Sequence, residues 1–474
     1  TSADYVSAFG YQASYSNTTG QYNTSIGSQA LYSNTTASNN TAVGYQAGYS
    51  NTTGDSVTAV GYKALYTNTT GRLNTALGAY ALLLNTTGRG NVAVGFDVLH
   101  YNTTGDDNTA IGGYYTSLPA LLNNTTGSYN VAVGGGALSN NTTASNNTAV
   151  GYQAGYSNTT GTALALFGYQ AGYSTTGSNV TAFGPSAARS TTTGGAITAI
   201  GEQALFSNTT GNYNTAVGYQ AGYSNTTGAL NTALGYTALF SATTANENVA
   251  IGHRSLNQNT GGNNTAVGSN SAYSNTSATG VVAIGAYTLY SNTTGSSNVA
   301  VGANDGSIVA ALQANTTGAR NVGIGTGALA TNTTASNNTA VGYQAGYSNT
   351  TGTSNAFFGD RAGYSNTTSV NNVAVGGQAA YFTTGGFNTS IGNGTQYYQT
   401  SGVHNTAVGY HAMIGQSGAI ASYSVAIGTE ALGSITTGSN NTALGYNALL
   451  SNTTASNNTA VGYQSLYSLS LIHI

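Results

Sequence analysis

The chain has 474 residues, with 7 Lys+Arg against 10 Asp+Glu, a formal net charge of −3, 67 Gly, 36 Tyr, 2 Pro and neither Cys nor Trp. Charged residues make up 4%, where an ordinary soluble domain carries about 25%, so no basic patch exists for nucleic acid or anionic lipid. The lack of Cys removes disulfides, thiolate nucleophiles and Cys-ligated metals, and no run of about 18 apolar residues could span a bilayer.

The chain opens Thr-Ser-Ala-Asp, without Met and without a basic start followed by an apolar run, which reads as a processed or truncated N-terminus. A repeat begins at once. Its unit, N-T-A-V-G-Y-Q-A-G-Y-S-N-T-T-G-x-x, is written out at 40–56 and again at 147–163. With the Gly of A-V-G as anchor, copies fall at Gly10, Gly27, Gly44, Gly61 and onward to Gly462, 27 in all. Of the 26 spacings, 20 are 17 residues and three are 16; spacings of 22, 23 and 19 before Gly134, Gly325 and Gly428 read as loops inserted into single coils. No compositional shift marks a linker, so 1–468 is expected to be one continuous array.

Seventeen residues cannot bury a core alone, so each unit must stack on its neighbours. Helical units are excluded by the Gly load, the β-branched residues and a turn in every period. The expected fold is therefore all-β: a parallel β-solenoid (β-roll) with one coil per 17-residue repeat and about 27 coils. At about 4.8 Å per coil it would form a rod on the order of 130 Å long.

Register follows from what each position accepts. The residue before the anchor Gly is apolar in all 27 copies (Ile26, Val43, Leu77, Phe183) and is expected to point inward, together with the Thr41 or Val92 type two residues earlier. The small residue between them, usually Ala, would form with the Gly a smooth second face open to close packing by another chain. Charges mark the outside. Lys63, Asp97, Arg254, Arg361 and Glu430 sit two residues after the anchor; Asp55, Arg72, Arg89, Asp106, Asp107, Glu247 and Arg320 follow the turn. Asn40, Asn74 and Asn147, at the start of the unit, are expected to stack into an amide ladder.

The core N-T-A-V-G-x-x-A, with variants N-V-A-V-G at Asn91 and N-V-A-I-G at Asn248, resembles the head repeat of trimeric autotransporter adhesins. The resemblance covers nearly the whole chain and implies a left-handed β-roll, three chains side by side and adhesion to host or matrix surfaces. The 17-residue period is longer than is usual for that family, and no coiled-coil stalk or membrane anchor is present in the sequence.

Each standard turn carries an N-x-[ST] acceptor for N-linked sugar. The candidates are Asn17, Asn34, Asn51, Asn68, Asn85, Asn102, Asn124, Asn141, Asn158, Asn208, Asn225, Asn275, Asn292, Asn315, Asn332, Asn349, Asn366 and Asn452. In 11 of these 18 a Tyr or Phe stands two residues earlier, where its ring could lie under the first sugar. Asn, Thr and Gly are also ordinary turn residues, which gives a purely structural alternative. A nearly neutral surface favours covalent glycans or self-association, as an end-to-end filament or a homotrimer.

Enzyme readings find no support. His100, His253, His404, His411 and His473 lack ligand spacing, carboxylates are not clustered for acid–base work, and Gly134-Gly135-Gly136 lacks the Lys-Ser/Thr of a phosphate loop. No catalytic residue, metal or cofactor is expected. Ordering of ice by Thr rows is a lesser alternative, set back by the Thr pairs lying in turns rather than on strands. Residues 469–474, Leu-Ser-Leu-Ile-His-Ile, break the repeat; they match one reading frame of a sequencing-adapter end and are expected to be adapter read-through on a metagenomic fragment. The sequence thus points to an extracellular or cell-surface structural protein, glycosylated and forming a rod or filament, with the head of a trimeric adhesin or phage-type fibre as the alternative.

Overall fold

A computed structural model describes residues 4–113 and 118–468. Among them there are 27 strands and no helix, divided between two compact units, Thr1–Asn231 and Thr232–Ile474. The first holds β1 (Ser7–Phe9) to β13 (Thr215–Val217), the second β14 (Thr232–Leu234) to β27 (Thr459–Val461). Each coil contributes one strand of three residues, or four in β11 (Val180–Phe183) and β12 (Ile197–Ile200). Within each unit neighbouring strands pair in parallel and in the register of the repeat: Thr41, Ala42 and Val43 of β3 lie beside Thr58, Ala59 and Val60 of β4. The fold is the expected parallel solenoid of about 27 turns. The tail 469–474, including His473, lies outside the described residues, as does part of the loop inserted before Gly134.

Four tight corners close the coil. In the coil of β3 they are Gly44 (φ 139°), Gln46 (54°), Gly48 (59°) and Ser56 (58°). The anchor position admits only Gly, because its φ is unfavourable for any side chain and the next coil is too near: a Cβ on Gly44 would lie 2.4 Å from the Gly61 carbonyl oxygen. The other corners accept Gln, Leu or Lys in the left-handed region, at about 1–2 kcal/mol each, because coil-to-coil hydrogen bonds hold them. Gln46 N–H donates to Ser28 O at 3.0 Å and Ser56 N–H to Ser38 O at 3.0 Å.

The strand is inverted relative to the sequence expectation. Ala42 and its equivalents are fully buried, whereas Thr41 and Val43 face out. The interior is too narrow for anything larger beneath most strands: it holds Ala42, Ala47, Gly48, Asn51, Gly54 and Val57 in this coil. The Ala row is therefore core and not an open face for another chain. Phe357 is informative here, since it replaces the inner Ala in β21 (Ala356–Phe358) and is 1% exposed. It fits because Gly346 and Gly363 stand above and below, where a Cβ would meet its ring at 2.7 and 2.5 Å. Leu166 sits in the same way between Gly155 and Gly172, each leaving a Cβ 2.8 Å from its methyls. Large and small residues alternate along the axis to keep the volume constant.

Candidate functional site

The N-T-T turns are the most repeated surface element, and their geometry starts from the asparagine. Seventeen of the 18 sequon asparagines are buried, Asn17 alone being half-exposed. Each Nδ2 donates to the carbonyl three residues on, as Asn51 to Gly54 O at 2.9 Å and Asn349 to Gly352 O at 3.0 Å. In the first unit the second hydrogen goes to the preceding coil, without interruption from Asn34 (to Asn17 Oδ1, 3.0 Å) to Asn158 (to Asn141 Oδ1, 2.9 Å). Asn225 continues to Asn208 at 2.7 Å, and in the second unit a like run passes from Asn275 to Asn366.

These bonds fall on the same Nδ2 atoms that a sugar would need. An N-linked glycan must replace a hydrogen on Nδ2, and in the folded solenoid both hydrogens are bonded in 15 of the 18 turns, whereas Asn17, Asn208 and Asn452 show the bond to their own turn. The aromatics two residues earlier stack along the axis. Tyr15, Tyr32, Tyr49 and Tyr66 stack on one another at 5.2, 5.0 and 5.2 Å, within 15° of parallel, so that each inner ring's faces are covered by its neighbours.

Sequence reasoning thus missed one of two amide ladders. The ladder expected at the start of the unit is present in a different form: its Oδ1 accepts the backbone N–H of the next coil, as Asn23 from Asn40 at 2.9 Å and Asn91 from Asn108 at 3.0 Å. A signal for the other was available. Asn259 keeps the amide where Asn-Thr-Gly is no sequon; it is fully buried and accepts from Asn275 at 2.6 Å.

The two threonines of each turn differ. The first donates its hydroxyl to the next coil's backbone, as Thr52 Oγ1 to Thr69 O at 2.9 Å. The second is exposed, from Thr19 and Thr36 through Thr160 in nine successive coils. On the strand side, the residues before the anchor present a stripe of half-exposed apolar side chains: Ile26, Val60, Leu77 and Ile111 in the first unit and Ile251, Ile284, Ile324 and Ile391 in the second, 36–43% exposed. No charged residue occupies any of the 27 strands.

The charged residues at the two expected positions are all outside the core. Arg89 pairs with Asp106 at 3.3 Å, and Lys63 Nζ lies 5.2 Å from the Tyr66 ring centre. His404 stacks between Phe387 and Tyr423 at 4.8 and 5.1 Å, and His253 on Tyr236 at 5.3 Å, so these imidazoles act as rungs of aromatic rows. His100 contacts the Asp97 carboxylate. Among the described residues no three His, Asp or Glu come together as a metal site, and no helix is long and apolar enough to cross a membrane. Comparison with known proteins yields no matching family model, no matching curated protein and no matching solved structure.

Proposed function

We propose that the chain is a non-enzymatic structural protein of the extracellular or cell-surface space whose solenoid units associate side by side with copies of themselves. One observation carries the reading: the outward strand face is uncharged from coil to coil and carries a continuous stripe of half-exposed apolar side chains beside a row made mostly of threonine. Taking about 4.8 Å per strand and a width of about 10 Å, the 13 strands of the first unit offer about 600 Å². A pair of such faces would bury about 1,200 Å², the lower bound for a stable interface. An apolar stripe running the length of such a face, on a chain with 4% charge, is otherwise a liability. Lateral packing is favoured over end-to-end stacking because the stripe runs along the coils. A three-chain assembly would agree with the resemblance to adhesin heads.

Light scattering of the full chain across a concentration series tests this. Assemblies are expected, and Val60→Lys with Leu77→Lys should shift them towards monomer while leaving the circular dichroism unchanged. A wild-type chain that stays monomeric at the highest soluble concentration overturns the reading.

A further inference from the structure

On the turn side of the first unit, four coils form a groove of about 360 Å³ lined by Thr53, Thr70, Thr87, Thr104, Arg72, Arg89 and Asp106. Its threonines are the second of each N-T-T and are exposed. Unlike the first threonines, whose hydroxyls are bonded across coils, these four hydroxyls have no partner among the described residues. They recur once per coil, so the groove presents free donor–acceptor groups at the coil spacing of about 4.8 Å.

Two of the chain's seven Lys+Arg lie on adjacent coils of this groove. Arg72 is exposed, and its guanidinium makes no hydrogen bond or ion pair among the described residues. Arg89 is held by Asp106, whose Oδ1 accepts the Arg89 backbone N–H at 2.9 Å and whose Oδ2 accepts Nε at 3.3 Å. Asp55, in the same row, is engaged elsewhere, since its Oδ1 accepts the Ser38 backbone N–H at 2.7 Å. The lining carries two guanidiniums against the carboxylate of Asp106; Asp55 keeps its charge at the end of the same row, and Arg72 remains the cation without an ion-pair partner among the described residues.

We propose that this groove binds a linear acidic polysaccharide along the solenoid axis. Sugar hydroxyls would exchange hydrogen bonds with the threonine row while carboxylates, one per sugar, meet Arg72 and Arg89. Guanidinium suits a carboxylate because its planar fork offers two parallel donors. A polymer fits better than a small anion, because the free groups are spread one per coil over an open groove and converge on no single point. The groove is formed by turns and not by the outward strand face, so the inference stands independently of how copies associate.

Calorimetric titration of the full chain with a short oligogalacturonide, and with an uncharged oligogalactan of the same length, tests the proposal. The acidic oligomer is expected to bind, to weaken as salt is raised, and to bind about tenfold more weakly to Arg72→Gln/Arg89→Gln. Arg254→Gln/Arg320→Gln, in the other unit, should bind as wild type does. No binding of the acidic oligomer, equal binding of the uncharged one, or unchanged affinity in Arg72→Gln/Arg89→Gln each overturns the assignment.

Discussion

Replacing Asn68 by alanine removes one rung from the middle of the amide ladder. In the wild type Asn68 Nδ2 donates to Asn51 Oδ1 and to Gly71 O, both at 2.8 Å, and its Oδ1 accepts from Asn85 Nδ2 at 2.8 Å. Asn68→Ala therefore orphans a carbonyl, an amide oxygen and one N–H, all in a region closed to water. At about 1–2 kcal/mol for each buried unsatisfied group, the local loss is about 3–6 kcal/mol. Because each coil touches only its neighbours, the loss should stay local and leave distant coils protected. Native-state hydrogen exchange reads this directly. The amides of Thr52, Thr69 and Thr86, each bonded to the next coil, should lose protection by about 10² to 10⁴, one decade for every 1.4 kcal/mol. Amides near Thr148 should not change. Asn68→Asp, which keeps the volume but lacks the donors, should be as damaging at neutral pH. Protection at Thr69 within about threefold of wild type in both variants would refute the assignment of the ladder as a source of stability.

Gly78→Ala places a Cβ 2.2 Å from the Gly95 carbonyl oxygen at a φ of 138°, and should destabilise the local coils by more than about 3 kcal/mol; a denaturant midpoint and exchange profile like those of the wild type would count against the backbone contact. When the chain is secreted from a host that N-glycosylates, peptide masses covering Asn51, Asn158 and Asn349 should be unmodified, and a hexosamine-bearing peptide from soluble folded protein would show that the ladder opens. In the loop over 303–309, the carboxylate of Asp305 accepts the backbone N–H groups of Ser307 and Ile308 at 2.9 and 2.7 Å, and these bonds hold its pKa below the ordinary value of 3.8. The depressed pKa means that the stabilisation is present above pH 3.8 and fades as pH falls through the lowered value. Exchange of Ser307 and Ile308 amides should accelerate only in that acid range, and Asp305→Asn should abolish this pH dependence.

The period, the number of coils and the exposed charged positions were legible in the sequence because each is a matter of spacing. The direction of the strand was not. Val43 and Thr41 are larger and more strand-prone than Ala42, and the ordinary expectation sends apolar bulk inward. That expectation fails where the space beneath the strand admits only a small side chain, and only the coil's cross-section reveals this. Phe357 shows the same limit from the other side, since a large inner residue is admitted where Gly346 and Gly363 make room. The ladder role of the N-T-T asparagines was not legible because a sequon and a buried ladder rung use the same residue. Asn259, kept without a sequon, is the local clue that separates them.

The amide ladder also has a direction. From Asn34 to Asn158 every Nδ2 points back to the Oδ1 of the coil before it, and none is reversed. Nine side-chain dipoles thus lie head to tail inside the first unit, where little solvent screens them, and each polarises the next. Aligned peptide dipoles give an α-helix a positive and a negative end. Here the side chains supply an axial field of the same kind, positive towards Asn17. At the other end, the Asn158 Oδ1 is met by the Gly161 backbone N–H at 3.0 Å. Although the chain has hardly any charge, its first unit is electrically polar along its length.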